Sequence, residues 1–539
     1  MPCEAQSLGV PCRPMARSPL MQLLQRVARN AAARERDPAE LASARRTFLR
    51  QASALAAAAA LPAWSPVASG AEGRRVVIVG AGLAGLTAAY ELSKAGIRAT
   101  ILEGSPRVGG RVWSERSAFA DGQIAERGGE LIDTTHEAIR SLASEFSLPL
   151  DDLIAAEPKD SEALFYFDGA PYTTADVDRD FAQVRPKLAA DAKVLGDDLP
   201  TYKGFTPGQR LLDRMTAAQW IASRVPGGTQ SRFGQLLVNA YGEELGGDPD
   251  EISAVTVVSL LTGSPADRFS PYEESDQRYH IRGGNDLLVS RLAEKVDGQI
   301  ETRSRLMALS RRPDGRYRLV VLRDAAEREE IADRVIVTIP FTTLRLVDLR
   351  EAGFGARKML SVNELGMGRN TKLQLQFTDR FWLRAQGNAR GNGEYRLRGS
   401  FQTTWDVTRA QPGTAGILNF FSGGSAAVAA GLPPIEAQAR DSLRELARYV
   451  TPSEGLWNQR VIRNAWDRNP WSLGSYALIK PGQYTTFYGV EAERQGQVYF
   501  AGEHTSIESQ GYMNGGVETG QRAAAEVLAS LGARKLKAA

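Results

Sequence analysis

Arg75-Val76-Val77-Ile78-Val79, Gly80-Ala81-Gly82-Leu83-Ala84-Gly85 and Leu86-Thr87-Ala88-Ala89-Tyr90-Glu91-Leu92 follow one another without a break, and their reading decides the fold. The first segment is a short, β-branched, continuous apolar run, which suits a buried parallel strand. The third predicts a helix. The glycines between them have the spacing G-x-G-x-x-G, and each has a task. Gly80 permits a tight turn, Gly82 lets the backbone approach a pyrophosphate, and Gly85 lets the helix pack closely on the strand. The free amides at the helix start then face the phosphates. A second strand, Ala99-Thr100-Ile101-Leu102, ends at Glu103, 18 residues after Gly85. A carboxylate there accepts hydrogen bonds from a ribose diol and repels a 2′-phosphate, so the dinucleotide is FAD or NAD rather than NADP.

The next segment, Val108-Gly109-Gly110-Arg111-Val112, selects FAD. Glu103 followed by this Gly-Gly-Arg resembles the flavoprotein family of amine oxidases, phytoene desaturases and protoporphyrinogen oxidase. Distant segments resemble it too: Glu126-Arg127-Gly128-Gly129-Glu130, Tyr279 to Leu287 with Gly283-Gly284, and Val335-Ile336-Val337-Thr338-Ile339-Pro340. So does the tail, where Val498 to Thr505 carries Gly502-Glu503-His504 and is followed by Gly511-Tyr512-Met513-Asn514-Gly515-Gly516. The likeness to flavin-containing amine oxidases runs from about Arg74 to Leu528. It implies that Gly110 and Arg111 meet the FAD pyrophosphate and that Gly128, Gly129 and Glu130 approach the flavin. It also implies that Leu306 lies at the cofactor, that Glu503 holds a ribityl hydroxyl after Gly502, and that the helix beginning near Met513 faces the flavin carbonyl. A positive helix end there would stabilise the charge of reduced flavin.

The resemblance further implies a catalytic lysine, bridged by water to the flavin ring nitrogen. Asn370-Thr371-Lys372-Leu373-Gln374-Leu375-Gln376-Phe377 has period-2 alternation, so Lys372, Gln374 and Gln376 share one face, and Lys372 is the candidate. Two aromatic rings that sandwich the amine correspond to Tyr476 and Tyr512, since the negative face of a ring favours an amine nitrogen. Trp466 is assigned to the substrate pocket. Relatives that link flavin covalently carry Cys just before the first tyrosine. Ser475 stands there, and the only cysteines are Cys3 and Cys12, so non-covalent FAD is expected. Amino-acid oxidases of the family carry an arginine for the substrate carboxylate where this chain has Leu131. Polyamine oxidases carry an acid that Asp133 matches, so Glu130 and Asp133 are expected to draw in a cationic tail.

The expected architecture is α/β (α+β). A discontinuous Rossmann-like FAD-binding domain takes residues 74–150, 276–310 and 455–530. A mixed-sheet-plus-helices substrate domain takes 151–275 and 311–454, with a tail at 531–539. The chain of 539 residues has 43% hydrophobic and 24% charged residues, an ordinary globular composition. Two cysteines and three histidines exclude a disulfide scaffold and leave no expected metal site. Residues 1–70 hold nine Arg and four acids, and the remainder has 57 basic and 59 acidic residues, so no nucleic-acid footprint is present. Arg45-Arg46-Thr47-Phe48-Leu49-Arg50 and the Ala-rich run after it resemble a twin-arginine export signal, too short for a transmembrane segment, which implies a periplasmic enzyme. The expected activity is oxidation of an amine, polyamine or L-amino acid to an imine, with dioxygen as acceptor; a homodimer is compatible with it. Two alternatives stand beside it: a dehydrogenase or desaturase of the same fold, and a non-catalytic flavin-binding protein.

Overall fold

The computed structural model describes residues 74–262, 275–386, 389–450 and 454–532. The leader and its twin arginine lie outside the described residues, as does most of the tail.

Five parallel strands form the first sheet, in the order Val498–Phe500, Arg334–Val337, Val76–Val79, Ala99–Leu102, Ile300–Glu301. Its strands are apolar at nearly every position because both faces are covered. Val76 and Ile78 pack with Leu86, Val517 and Val527 of the helices Leu83–Lys94 and Met513–Ser530. Val77 and Val79 point the other way, into a core shared with Leu309, Leu319 and Val321. Those residues come from a three-stranded antiparallel sheet, Ser304–Arg311, Tyr317–Arg323 and Ala326–Ala332.

The second large sheet is mixed, with Asn370–Phe377 between Trp457–Ala465 and Gly416–Gly423 and the strand Ser161–Phe167 further out. All eight residues of Asn370–Phe377 are buried. Leu373, Leu375 and Phe377 enter an apolar core on one face. Gln374 and Gln376 turn to the other and donate to the carbonyls of Glu126 and Ala120, so the alternation read from the sequence holds. Between residues 174 and 262 the chain is mainly helical, including Ala217–Arg224 and Arg232–Leu245.

Two expected domain boundaries need correction. Residues 317–337 fall within the range 311–454 expected for the substrate domain, but they form two of the three strands of the antiparallel layer and a central strand of the parallel sheet. Trp457–Ala465 falls within the range 455–530 expected for the FAD-binding domain, but it pairs with Asn370–Phe377 in the mixed sheet. Short apolar runs show that a strand exists and leave open which sheet it joins.

Candidate active site

The first strand ends at Gly80, whose φ of +106° is one that L side chains rarely adopt. A Cβ on Gly85 would stand 2.0 Å from the Gly80 carbonyl oxygen, so Gly85 serves helix packing and lies off the cavity wall. A Cβ on Gly82 would meet no protein atom within 4 Å. Gly82 instead faces a cavity of about 630 Å³, whose wall also includes Gly80, Glu103, Gly110, Arg111, Leu306, Gly502, Glu503 and Met513. The sequence assigns all of these to the cofactor; Gly128 and Glu130, assigned with them, lie off this wall.

The Glu103 carboxylate is held by two backbone amides, Ala81 N–H at 2.7 Å and Ser105 N–H at 2.8 Å. Each oxygen keeps a lone pair for a ribose hydroxyl. Arg111 Nη1 donates to Glu503 Oε1 at 2.7 Å and to the Ser475 carbonyl at 2.6 Å. Glu503 Oε2 accepts from Gly511 N–H at 2.7 Å, which ties the turn before Met513 to the same wall. The helix Met513–Ser530 therefore starts at the cavity, with its positive end towards it. Open space before Gly82, a ribose acceptor, an arginine and a helix start along one wall fit an extended dinucleotide. Trp471 also lines this cavity, and its indole covers Gly104 so closely that a Cβ there would meet it at 2.6 Å.

A smaller chamber of about 150 Å³ adjoins the first, and Arg111, Gly129, Trp466, Tyr476, Tyr512 and Met513 belong to both walls. Gly128, Glu130, Leu131 and Lys372 line the smaller one. Lys372 Nζ donates to Glu130 Oε2 at 2.5 Å and to the carbonyls of Gly128 and Glu126 at 2.9 and 3.2 Å. Glu130 Oε1 accepts from Trp405 Nε1 at 2.8 Å. The Tyr476 hydroxyl donates to the Glu243 carbonyl at 3.1 Å, and Trp466 Nε1 to the Arg127 carbonyl at 3.0 Å. The structure thus brings Lys372, Tyr476, Tyr512, Trp466 and Glu130 to one chamber beside the cofactor cavity.

Asp133 is not among them, which corrects its assignment to the substrate. It is 0% exposed and off both cavity walls. Its Oδ1 accepts from Gln277 N–H at 2.8 Å, and its backbone N–H donates to His136 Nδ1 at 3.0 Å. Burial pushes the Asp133 carboxyl up to about 8 and pulls the His136 imidazole down to about 3, so the pair is neutral near pH 7. The His136 ring meets the Tyr512 ring edge-on, with centroids 4.7 Å apart, so Asp133 acts one layer behind the chamber.

Glu126 also stands behind the wall, 1% exposed, accepting from Asn285 N–H at 2.8 Å and paired with His280 Nε2 at 2.9 Å. Burial lowers the His280 imidazole, but the Glu126 hydrogen bond and the charges of Glu126, Glu130 and Asp151 outweigh it and hold it above its ordinary value.

Trp405, Phe421, Asn370 and Gln277 line the chamber without having been singled out in the sequence. Trp405 and Phe421 sit on adjacent antiparallel strands with ring centroids 5.2 Å apart. No local motif marks them. Among the described residues, no cluster of three or more His, Cys, Asp or Glu could hold a metal, and no helix is long and apolar enough to cross a membrane.

The chain is 26% identical over 486 residues to the flavin-dependent L-tryptophan oxidase RebO of Lentzea aerocolonigenes, covering 83% of this chain and 96% of that protein. It is 25% identical over 469 residues to an L-amino-acid oxidase of Siganus canaliculatus, covering 84% and 85%. Its fold matches that of a cyclohexylamine oxidase from Brevibacterium oxydans IH-35A with a TM-score of 0.73 at 21% identity, covering 85% of this chain and 99% of that one. The family model for flavin containing amine oxidoreductase matches residues 83–528. With the dinucleotide cavity and the aromatic chamber on one wall, this match shows that the chain belongs to the flavin-containing amine oxidoreductase family.

Proposed function

We propose that the chain is an oxidase that binds FAD without a covalent link and converts a small amine, with dioxygen and water, to a carbonyl compound, ammonia and hydrogen peroxide. The observation that carries this reading is the shared wall, where Tyr476 and Tyr512 belong both to the cofactor cavity and to the chamber that holds Lys372. When bound there, the flavin supplies an acceptor for the hydride leaving the carbon beside nitrogen.

The remaining tasks fall to the chain's own residues. Tyr476 and Tyr512 present ring faces to the amine and fix its orientation. Trp466, Trp405 and Phe421 give the chamber apolar walls that displace water, so a deprotonated amine is favoured over its ammonium form. Lys372 keeps a positive group in the wall of the chamber beside the cofactor cavity, held by two carbonyls and a carboxylate. Glu103 and the open face of Gly82 hold the nucleotide end. The relatives named for L-tryptophan and L-amino acids put L-amino acids among the substrates to be tested.

Hydrogen peroxide measured across a panel of amines, diamines and L-amino acids tests the reading. Peroxide with at least one amine supports it. Flavin reduction by an amine without peroxide would make the chain a dehydrogenase, and neither response would make it a flavin-binding protein.

Export by the twin-arginine route to the periplasm is part of the same proposal, supported by Arg45-Arg46 and the apolar run that follows. Changing both arginines to lysine should leave active enzyme in the cytoplasm. Continued export of that variant would overturn it.

A further inference from the structure

Glu130 and Lys372 are each 8% exposed in their side chains, and each has its charge answered by the other. The lysine's three N–H groups have three acceptors: Glu130 Oε2 and the carbonyls of Gly128 and Glu126. The carboxylate's second oxygen is taken by Trp405 Nε1. The other charged side chain on the chamber wall, Arg111, is matched by Glu503. Among the described lining residues, every charge therefore has a partner inside the protein.

We propose that this pairing makes Glu130 a specificity-determining residue. It neutralises Lys372 and leaves the chamber selective for amines with a single basic group and an uncharged tail. The inference rests on the amine-oxidase reading and deepens it by naming the substrate class. A second charge on the substrate must leave water on entering the chamber, and it finds no free counter-charge there. Taking Glu130 for that purpose would strand the buried lysine, and taking Lys372 would strand the carboxylate. Leu131, Trp405 and Phe421 present apolar surface to such a group, and the amide and hydroxyl side chains on the wall, Gln277, Asn370 and Ser475, carry no charge to answer it, while an alkyl or aryl tail loses only water. The acid at position 130 is thus a counter-ion and not a magnet for cationic tails. Asp133, the other acid of the segment, is sealed behind the wall.

Two measurements test this on the full-length, flavin-loaded protein. The first compares kcat/KM for butylamine, 1,4-diaminobutane and norvaline, the last being butylamine with a carboxylate on the reacting carbon. Butylamine should be preferred over each charged analogue by about tenfold or more. Equal rates, or preference for either analogue, would overturn the proposal.

The second needs no turnover. Benzoate and benzyltrimethylammonium are titrated against the absorbance of the bound flavin, and the ratio of their Kd values is followed. Glu130→Gln should shift the ratio towards benzoate by about tenfold, and Lys372→Met towards the cation by a similar factor. The double variant Glu130→Gln/Lys372→Met should return to within about threefold of the wild-type ratio. Shifts in the same direction, or a double variant that keeps one single variant's preference, would overturn it. Should a single variant not fold, the comparison of the double variant with wild type and the substrate series still decides. If no amine is oxidised at all, the function fails, while the titration still reports whether Glu130 neutralises Lys372.

Discussion

The carbonyl oxygen of Gly80 lies 2.0 Å from where a Cβ on Gly85 would stand, whereas a Cβ on Gly82 would meet nothing within 4 Å. The two substitutions should therefore fail differently. Gly85→Ala forces the helix Leu83–Lys94 off its strand and should destabilise the protein by about 1–3 kcal/mol or more, read as lower soluble yield and melting temperature. Gly82 has φ −77°, which alanine adopts freely. Gly82→Ala should keep the melting temperature of the flavin-free protein within about 2 °C. It should nevertheless lower FAD affinity by about tenfold or more in equilibrium dialysis, because its methyl group takes the space of the pyrophosphate.

The two tyrosines should tolerate loss of the hydroxyl and not loss of the ring. Tyr476 donates to the Glu243 carbonyl at 3.1 Å, a neutral bond worth about 1 kcal/mol. Tyr476→Phe and Tyr512→Phe should then cost roughly fivefold or less in kcat/KM. Tyr→Leu at either position removes the ring face and should cost about 10²-fold. Equal effects of Phe and Leu would point to the hydroxyl as the working group.

Acid precipitation or denaturant should release all of the flavin as free FAD. Cys3 and Cys12 are the only cysteines, and Ser475 precedes Tyr476. Flavin absorbance that remains with the precipitated chain would refute the non-covalent attachment.

Asp133 and His136 should leave a mark on the pH dependence of stability. The Asp133 carboxyl is raised from 3.8 to about 8, and the His136 imidazole is lowered from 6.5 to about 3. Between about pH 4 and 6.5 the pair carries one proton both folded and unfolded, on Asp133 in the fold and on His136 in the open chain, so it adds no slope. From about 6.5 to 8 the unfolded chain has lost that proton and the folded one keeps it. Stability therefore falls as pH rises, by roughly 2 kcal/mol over that window. Asp133→Asn keeps an acceptor for Gln277 N–H and has no proton to lose. Its denaturant midpoint should fall less than wild type across this range. Parallel pH profiles would place the titration elsewhere.

The strand, glycine turn and helix from Arg75 to Leu92 were legible in the sequence because their causes are local: a β-branched run, three glycines at fixed spacing and the helix that follows. Alternation placed Lys372, Gln374 and Gln376 on one face for the same reason, since a strand's side chains alternate whatever it packs against. Tertiary structure decided which sheet each strand joins, hence the exchange of residues 317–337 and Trp457–Ala465 between the two units. It also decided the fate of the acids in the segment from Glu130 to Asp133, which has no regular period to fix their directions. Glu130 meets Lys372, 242 residues away in the chain, and Trp405, 275 residues away, while Asp133 turns inward to His136. A charge pattern along a chain gives the sign and place of each group, but the partner that neutralises a buried charge is chosen by packing between elements far apart in sequence.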